Sequence, residues 1–233
     1  TGMGVDGLKK YWLSGALLLL LLLTLSGCFF REPEDLYQSP EQSADYLSLT
    51  QTIRNVKDSL AQEYGVEVED VSVMSGDNTA LIQLQDLDRD GERETAVTFF
   101  RVSEAEKPLK IYFFTRTAED TYTVSAMVEG NGTAIYRVDY VDLNGSGCKE
   151  VVVSWQMSTG VYLLGAYSLE EAMVRSLQYA ASAPAGSASA QGLPDREALR
   201  ATEWMTTVYD NYALYDLDQD TRTELAVVRV DKA

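Results

Sequence analysis

The chain of 233 residues carries 36 acidic against 19 basic side chains, a formal net charge of −17, no histidine and two cysteines, with 45% of its residues apolar. That apolar share is enough to close a core in one or two domains and argues against global disorder. The acidic excess argues against a nucleic-acid groove or an anionic bilayer surface, since both need clustered Lys and Arg. The absence of histidine removes Ser-His-Asp triads, Cys-His pairs, His-Glu-x-x-His zinc helices and imidazole general bases together.

In chain order, Lys9 and Lys10 precede an apolar stretch with seven consecutive leucines at 17–23, which ends in Leu25-Ser26-Gly27-Cys28. This is the layout of an export signal. The ending resembles the lipobox of bacterial lipoproteins; the resemblance implies that residues 1–27 are a cleaved signal peptide and that Cys28 carries a lipid anchoring the chain to the cell envelope. The competing reading is an uncleaved anchor over residues 11–30, long enough to span a hydrocarbon layer of ~30 Å. Under either reading the remainder lies outside the cytoplasm. With residues 1–27 removed, Cys148 is the only thiol beside the lipidated one, and no intramolecular disulfide is available.

Residues 28–44 are polar, proline-bearing and aperiodic, as a flexible tether would be. Over residues 45–65, Tyr46, Leu49, Ile53, Val56, Leu60 and Tyr64 recur at three- and four-residue spacing, with Gly65 placed to end a helix. The polar face mixes signs and is not Lys-rich, so the expected role is an amphipathic helix packed on the domain that follows, rather than one lying on a membrane.

The rest of the chain, 70–233, repeats itself. Three segments beginning at Asp86, Asp142 and Asp216 align without gaps, sharing Asp at loop position 1, Leu at 2, Asp or Asn at 3, an oxygen-bearing side chain at 5, Glu at 9 and Val at 12. Alternating apolar residues approach the first two loops (Ile82 and Leu84; Val138 and Tyr140), and short apolar runs leave all three. The loops therefore join strands. An EF-hand loop needs flanking helices and a bidentate Glu at position 12, where this chain has Val97, Val153 and Val227. The donor chemistry is nevertheless that of a hard cation, and Ca²⁺ wants about six to eight oxygens. The first loop offers Asp86, Asp88, Asp90 and Glu94 with the carbonyl of Glu92; the second offers Asp142, Asn144, Ser146 and Glu150; the third offers Asp216, Asp218, Asp220 and Glu224. The second has only two carboxylates and should bind more weakly or not at all. The third has Thr221 where the others have glycine, a cost if that residue needs positive φ. The competing reading of each loop is a solvated acidic turn whose first Asp caps backbone amides.

These segments resemble the calcium-binding hairpin loops of FG-GAP and VCBS-type repeats, as in integrin α-subunit propellers and many exported bacterial proteins. The resemblance implies structural Ca²⁺ and four-stranded antiparallel blades, hence a mainly all-β fold: a partial β-propeller-like array preceded by the helix. Outer strands are expected at 109–115 and 122–128 in the first unit, and at 161–167 and 173–179 in the second. The loop starts lie 56 and then 74 residues apart, the excess matching a low-complexity insertion at 180–194; a short helix is expected within 195–208, with Leu199, Trp204 and Val208 buried. The chain stops nine residues after Glu224, inside the third unit, which leaves three expectations: the front of a longer protein, an open β-array, or completion by a partner; the start on Thr1 favours the first.

The implied function is a binding or adhesion module, not an enzyme, whose partners are the membrane, through Cys28, and an extracellular protein or glycan. Two alternatives stand beside it. One is a solute-binding lipoprotein of a transporter, whose two-lobed α/β pattern is missing; the other is a carbohydrate-active enzyme fragment using paired carboxylates. Tyr112, Phe113, Phe114 and Trp155 sit in strand-like runs and read as core rather than a sugar-stacking face.

Overall fold

In a computed structural model, which describes residues 44–118, 120–182 and 195–230, the first element is helix α1, Ala44–Tyr64. The signal peptide, Cys28, the tether up to residue 43 and positions 183–194 of the insertion lie outside the described residues. Helix α1 ends as its sequence requires: Gly65 takes φ 70°, and its N–H donates to the Ala61 carbonyl. Leu49, Val56 and Leu60 are buried, with Ile53 and Tyr64 packed beside them, whereas Tyr46, expected on the same face, is exposed. Three buried aliphatic side chains at about 1.5–3 kcal/mol each make docking, not helix propensity, the main stabiliser of α1.

Eleven strands follow, all paired antiparallel, so the fold is mainly β, with no closed barrel among the described residues. The first sheet holds β1 (Glu69–Asp70), β2 (Ile82–Gln85), β3 (Thr95–Arg101), β4 (Leu109–Arg116) and β5 (Tyr122–Gly130). Strands β1 and β2 share one edge of β3 end to end, and β4 and β5 continue on the other side, so the sheet is four strands wide. The second sheet runs β6 (Ala134–Val141), β7 (Glu150–Ser158), β8 (Val161–Ser168) and β9 (Thr202–Tyr209) in sequence order. A third hairpin is made of β10 (Asn211–Tyr215) and β11 (Glu224–Val228).

These layers stack. Val97, Phe99, Ile111, Phe113 and Val128 of the first sheet meet Ile135, Val138, Val151, Val153 and Trp155 of the second. The opposite face of the first sheet, with Ala96, Phe100, Tyr112, Phe114 and Met127, is covered by α1. The opposite face of the second sheet, with Val152, Leu164 and Ala166, receives Tyr212, Leu214, Leu225 and Val227 of the third hairpin. Burial on both faces is why β3, β4 and β7 read as continuous apolar runs. It also places Tyr112, Phe113, Phe114 and Trp155 in the core, as expected. Among the described residues, that face of the first sheet is covered by α1 and not by another sheet.

Two expected elements are corrected. Residues 173–179 are not a strand but lie within helix α2, Glu170–Ser182, which runs alongside β5 and buries Ala172 and Ser176 one turn apart. Its Glu-Ala-Met-Arg-Leu-Gln composition favours helix, and Glu170 and Glu171 complement the N-terminal dipole. The helix expected within 195–208 is a single turn, α3 (Arg196–Leu199), capped by Asp195; β9 then completes the second sheet. Leu199 is buried, but Trp204 and Val208 are exposed at 44% and 42%, because a strand turns alternate side chains outward. The long second spacing is thus explained by α2 and positions 183–194 falling between β8 and its partner β9.

Turn α3 is held by an ion network built on one buried pair. Lys110 on β4, 1% exposed, lies 2.5 Å from Glu129 on β5; Glu129 also meets the Arg196 and Arg200 guanidinium groups, and Arg196 reaches Glu63 and Tyr64 of α1. Burial alone would raise the Glu129 carboxyl, but Lys110 and Arg196 outweigh it and hold it below the usual carboxylate value.

Candidate cation-binding loops

Each of the three repeats forms a strand–loop–strand hairpin: β2–β3, β6–β7 and β10–β11. The loops share one backbone conformation. Position 4 has positive φ in all of them (Arg89 62°, Gly145 71°, Gln219 66°), and so does position 6 (Gly91 99°, Gly147 95°, Thr221 75°). The same hydrogen bonds recur. The position 6 N–H donates to the first aspartate, from Gly91 to Asp86 (3.1 Å), Gly147 to Asp142 (3.1 Å) and Thr221 to Asp216 (2.9 Å). The position 7 N–H donates to the side-chain oxygen at 5, from Glu92 to Asp90, Cys148 to Ser146 and Arg222 to Asp220. Each loop thus folds its donor oxygens inward on a scaffold of Asx-type turns.

In the first loop, carboxylate oxygens of Asp86, Asp88, Asp90 and Glu94 all lie within 4.8 Å of one another; in the third, those of Asp216, Asp218, Asp220 and Glu224 do the same. Either group can hold a metal ion. The Glu92 side chain turns away to Arg116 at 2.9 Å, consistent with a role for its carbonyl alone. The first loop differs in register: Gln85 pairs with Thr95, whereas the second and third close on Val141 with Glu150 and on Tyr215 with Glu224. The glutamate at position 9 is therefore inside the ladder in two loops, where it accepts the position 2 N–H (Leu143 to Glu150, 2.7 Å; Leu217 to Glu224, 2.6 Å). In the first loop Glu94 falls outside the ladder, and the buried atoms Glu94 Oε2 and Asp86 Oδ1 have no hydrogen-bond partner among the described residues. Burial pushes the Glu94 carboxyl above its usual value, and Asp88, Asp90 and Asp86 add to the shift.

The second loop does not gather such a group. Asp142 accepts N–H donors from Gly145 and Gly147 and pairs with Arg89 of the first loop at 3.1 Å. Asn144 accepts the Ser146 N–H, the Ser146 hydroxyl donates to Glu170 of α2, and Glu150 is buried and spent on Leu143. A guanidinium thus supplies positive charge at this loop. Burial, reinforced by Glu170, raises the Cys148 thiol, so this cysteine is a poor nucleophile at neutral pH.

Sequence patterns did not reveal the cations that join the loops. Lys149 donates from its backbone to the Leu87 carbonyl and from Nζ to the Asp86 carbonyl, stapling the second loop to the first. Arg222 of the third loop lies against Gly145 of the second, 3.3 Å from where a Cβ would sit. Fold and site together define an antiparallel β protein of stacked sheets with repeated acidic hairpin loops at their turns. Scans of this chain against protein-family models, curated proteins and solved structures return no match. No helix of the described residues is long and apolar enough to cross a membrane.

Proposed function

We propose that this chain is an extracytoplasmic, lipid-anchored interaction module of the FG-GAP/VCBS kind, in which calcium at the first and third loops staples strand pairs together. The supporting observation is the first loop: four carboxylates share one small volume, and two of their buried oxygens lack a donor. Carboxylates at that separation repel, and a divalent cation relieves the repulsion while filling the unmet acceptor valences. The third loop repeats the arrangement on the same backbone. The expected role of the ion is structural, and the partner is a protein or glycan outside the cell, with Cys28 supplying the membrane tether. In this reading the clustered carboxylates serve a metal and the turn amides rather than acid–base catalysis.

Calcium titration of the chain from residue 41 onward tests the metal. Extracellular calcium modules bind with Kd of about 10⁻⁴–10⁻³ M, and an ion at ten times Kd stabilises by about 1.4 kcal/mol per site. Two sites then raise the melting temperature by roughly 6–11 °C, at about 2–4 °C per kcal/mol for a domain of this size. Magnesium should do less, and Asp86→Asn with Asp90→Asn should remove about half of the gain. A melting temperature indifferent to both calcium and chelator refutes the metal.

A further inference from the structure

We propose a second, anionic ligand: the cleft between the three loops binds a small organic dicarboxylate. The cleft has a volume of about 410 Å³, lined by Arg89 of the first loop, Asp142 and Lys149 of the second, and Thr221, Arg222 and Thr223 of the third. A volume of this size falls in the range of small-molecule sites, about 300–1,000 Å³, and exceeds what an inorganic anion fills.

Charge sets the class of ligand. Three cations and one carboxylate leave two positive charges facing the cleft, in a chain whose formal net charge is −17. Two of the cations have internal duties: Arg89 pairs with Asp142, and Lys149 holds the Asp86 carbonyl at 2.6 Å. The Asp142 carboxylate is satisfied by two backbone amides and Arg89, so it makes no further demand on the others. Arg222 decides the matter. Were it present to neutralise its own loop, it would pair with Asp216, Asp218 or Asp220; among the described residues it pairs with none, and its guanidinium lies across the cleft against Gly145. The Arg222 fork, the donors left on a 58% exposed Arg89 side chain and the neighbouring threonine hydroxyls suit planar carboxylates, which guanidinium binds bidentately. The cations and the cleft belong to the protein alone, and calcium in the first and third loops, by neutralising their carboxylates, would strengthen rather than create the anion site.

Succinate titration in metal-free buffer, followed by amide chemical shifts of the isotope-labelled chain, is the test, with sulfate and butyrate titrated in parallel. The expected result is saturable shifts at Gly145, Thr221 and Arg222 with succinate and weaker effects from the other two anions. Arg222→Gln should weaken succinate about tenfold or more, the scale of one charge-assisted pair. Arg222→Lys should retain part of the binding, and the melting temperature should move by no more than about 1–2 °C in either variant, since Arg222 is exposed and makes no ion pair among the described residues. Absence of saturable shifts, or equal binding by Arg222→Gln, overturns the proposal. Sulfate binding as tightly as succinate overturns the dicarboxylate assignment in favour of a compact inorganic anion.

Discussion

Replacing Thr221 by glycine should stabilise this protein, although most substitutions destabilise. Thr221 occupies position 6 of the third loop at φ 75°, where the other loops carry Gly91 and Gly147 at 99° and 95°. A left-handed conformation costs a residue with a Cβ about 1–2 kcal/mol, and β-branched threonine lies at the upper end. The conformation is imposed, because the Thr221 N–H must reach Asp216 at 2.9 Å. A Cβ built on Gly91 or Gly147 meets no atom within 4 Å, so the penalty at this position is conformational rather than steric. Glycine at 221 removes that penalty but gives the unfolded chain about 0.4–1 kcal/mol of extra freedom. The net gain is about 1–1.6 kcal/mol, or a rise of roughly 2–6 °C in melting temperature. Thermal denaturation of Thr221→Gly in calcium-free buffer measures it directly. The reverse change at an equivalent site, Gly147→Ala, should cost about 1 kcal/mol. A Thr221→Gly variant no more stable than the parent would show that the three loops do not share a conformational requirement.

Two further expectations follow from buried charge. Glu129→Gln leaves Lys110, 1% exposed, without its counter-ion and should cost about 3 kcal/mol or more, seen as a lowered denaturant midpoint; a loss below about 1 kcal/mol would refute the network's role. The pH dependence of the first loop has the opposite sense to that of Glu129. The folded Glu94 carboxyl titrates above its ordinary 4.5, so its contribution to stability is fully present below that value and is lost as pH rises through the raised one. Glu129, held low, loses its contribution as pH falls. In metal-free buffer the stability difference between the parent and Glu94→Gln should therefore shrink on acidification; a difference independent of pH between about 4 and 7 would refute the assignment.

Much of this architecture could be read from local pattern. The period of Leu49, Val56 and Leu60 announced α1, and Gly65 announced its end. The three Asp-Leu-Asp/Asn loops, the strands beside them, and the outer strands near 109–115, 122–128 and 161–167 follow from alternation and repetition. Residues 173–179 read as an outer strand only by analogy with a four-stranded blade, and 195–208 as a helix only from the spacing of Leu199, Trp204 and Val208; helix α2 and strand β9 stand there instead. Glu-Glu-Ala-Met favours helix and Thr-Glu-Trp-Met-Thr-Thr-Val-Tyr favours strand, in agreement with α2 and β9.

What sequence alone determined is the short-range chemistry: which residues supply oxygen, where the chain turns, and which runs need burial on two faces. These depend on each residue and its near neighbours. Tertiary structure decided the rest. Pairing Gln85 with Thr95, one residue out of step with the other hairpins, leaves Glu94 outside the ladder with a buried oxygen unmet. Packing of the layers brings Arg89 to Asp142, 53 positions away, and Arg222 to Gly145. Coulomb and hydrogen-bond energies act over a few ångströms of space, and no spacing along the chain encodes a distance that exists only once the sheets have stacked.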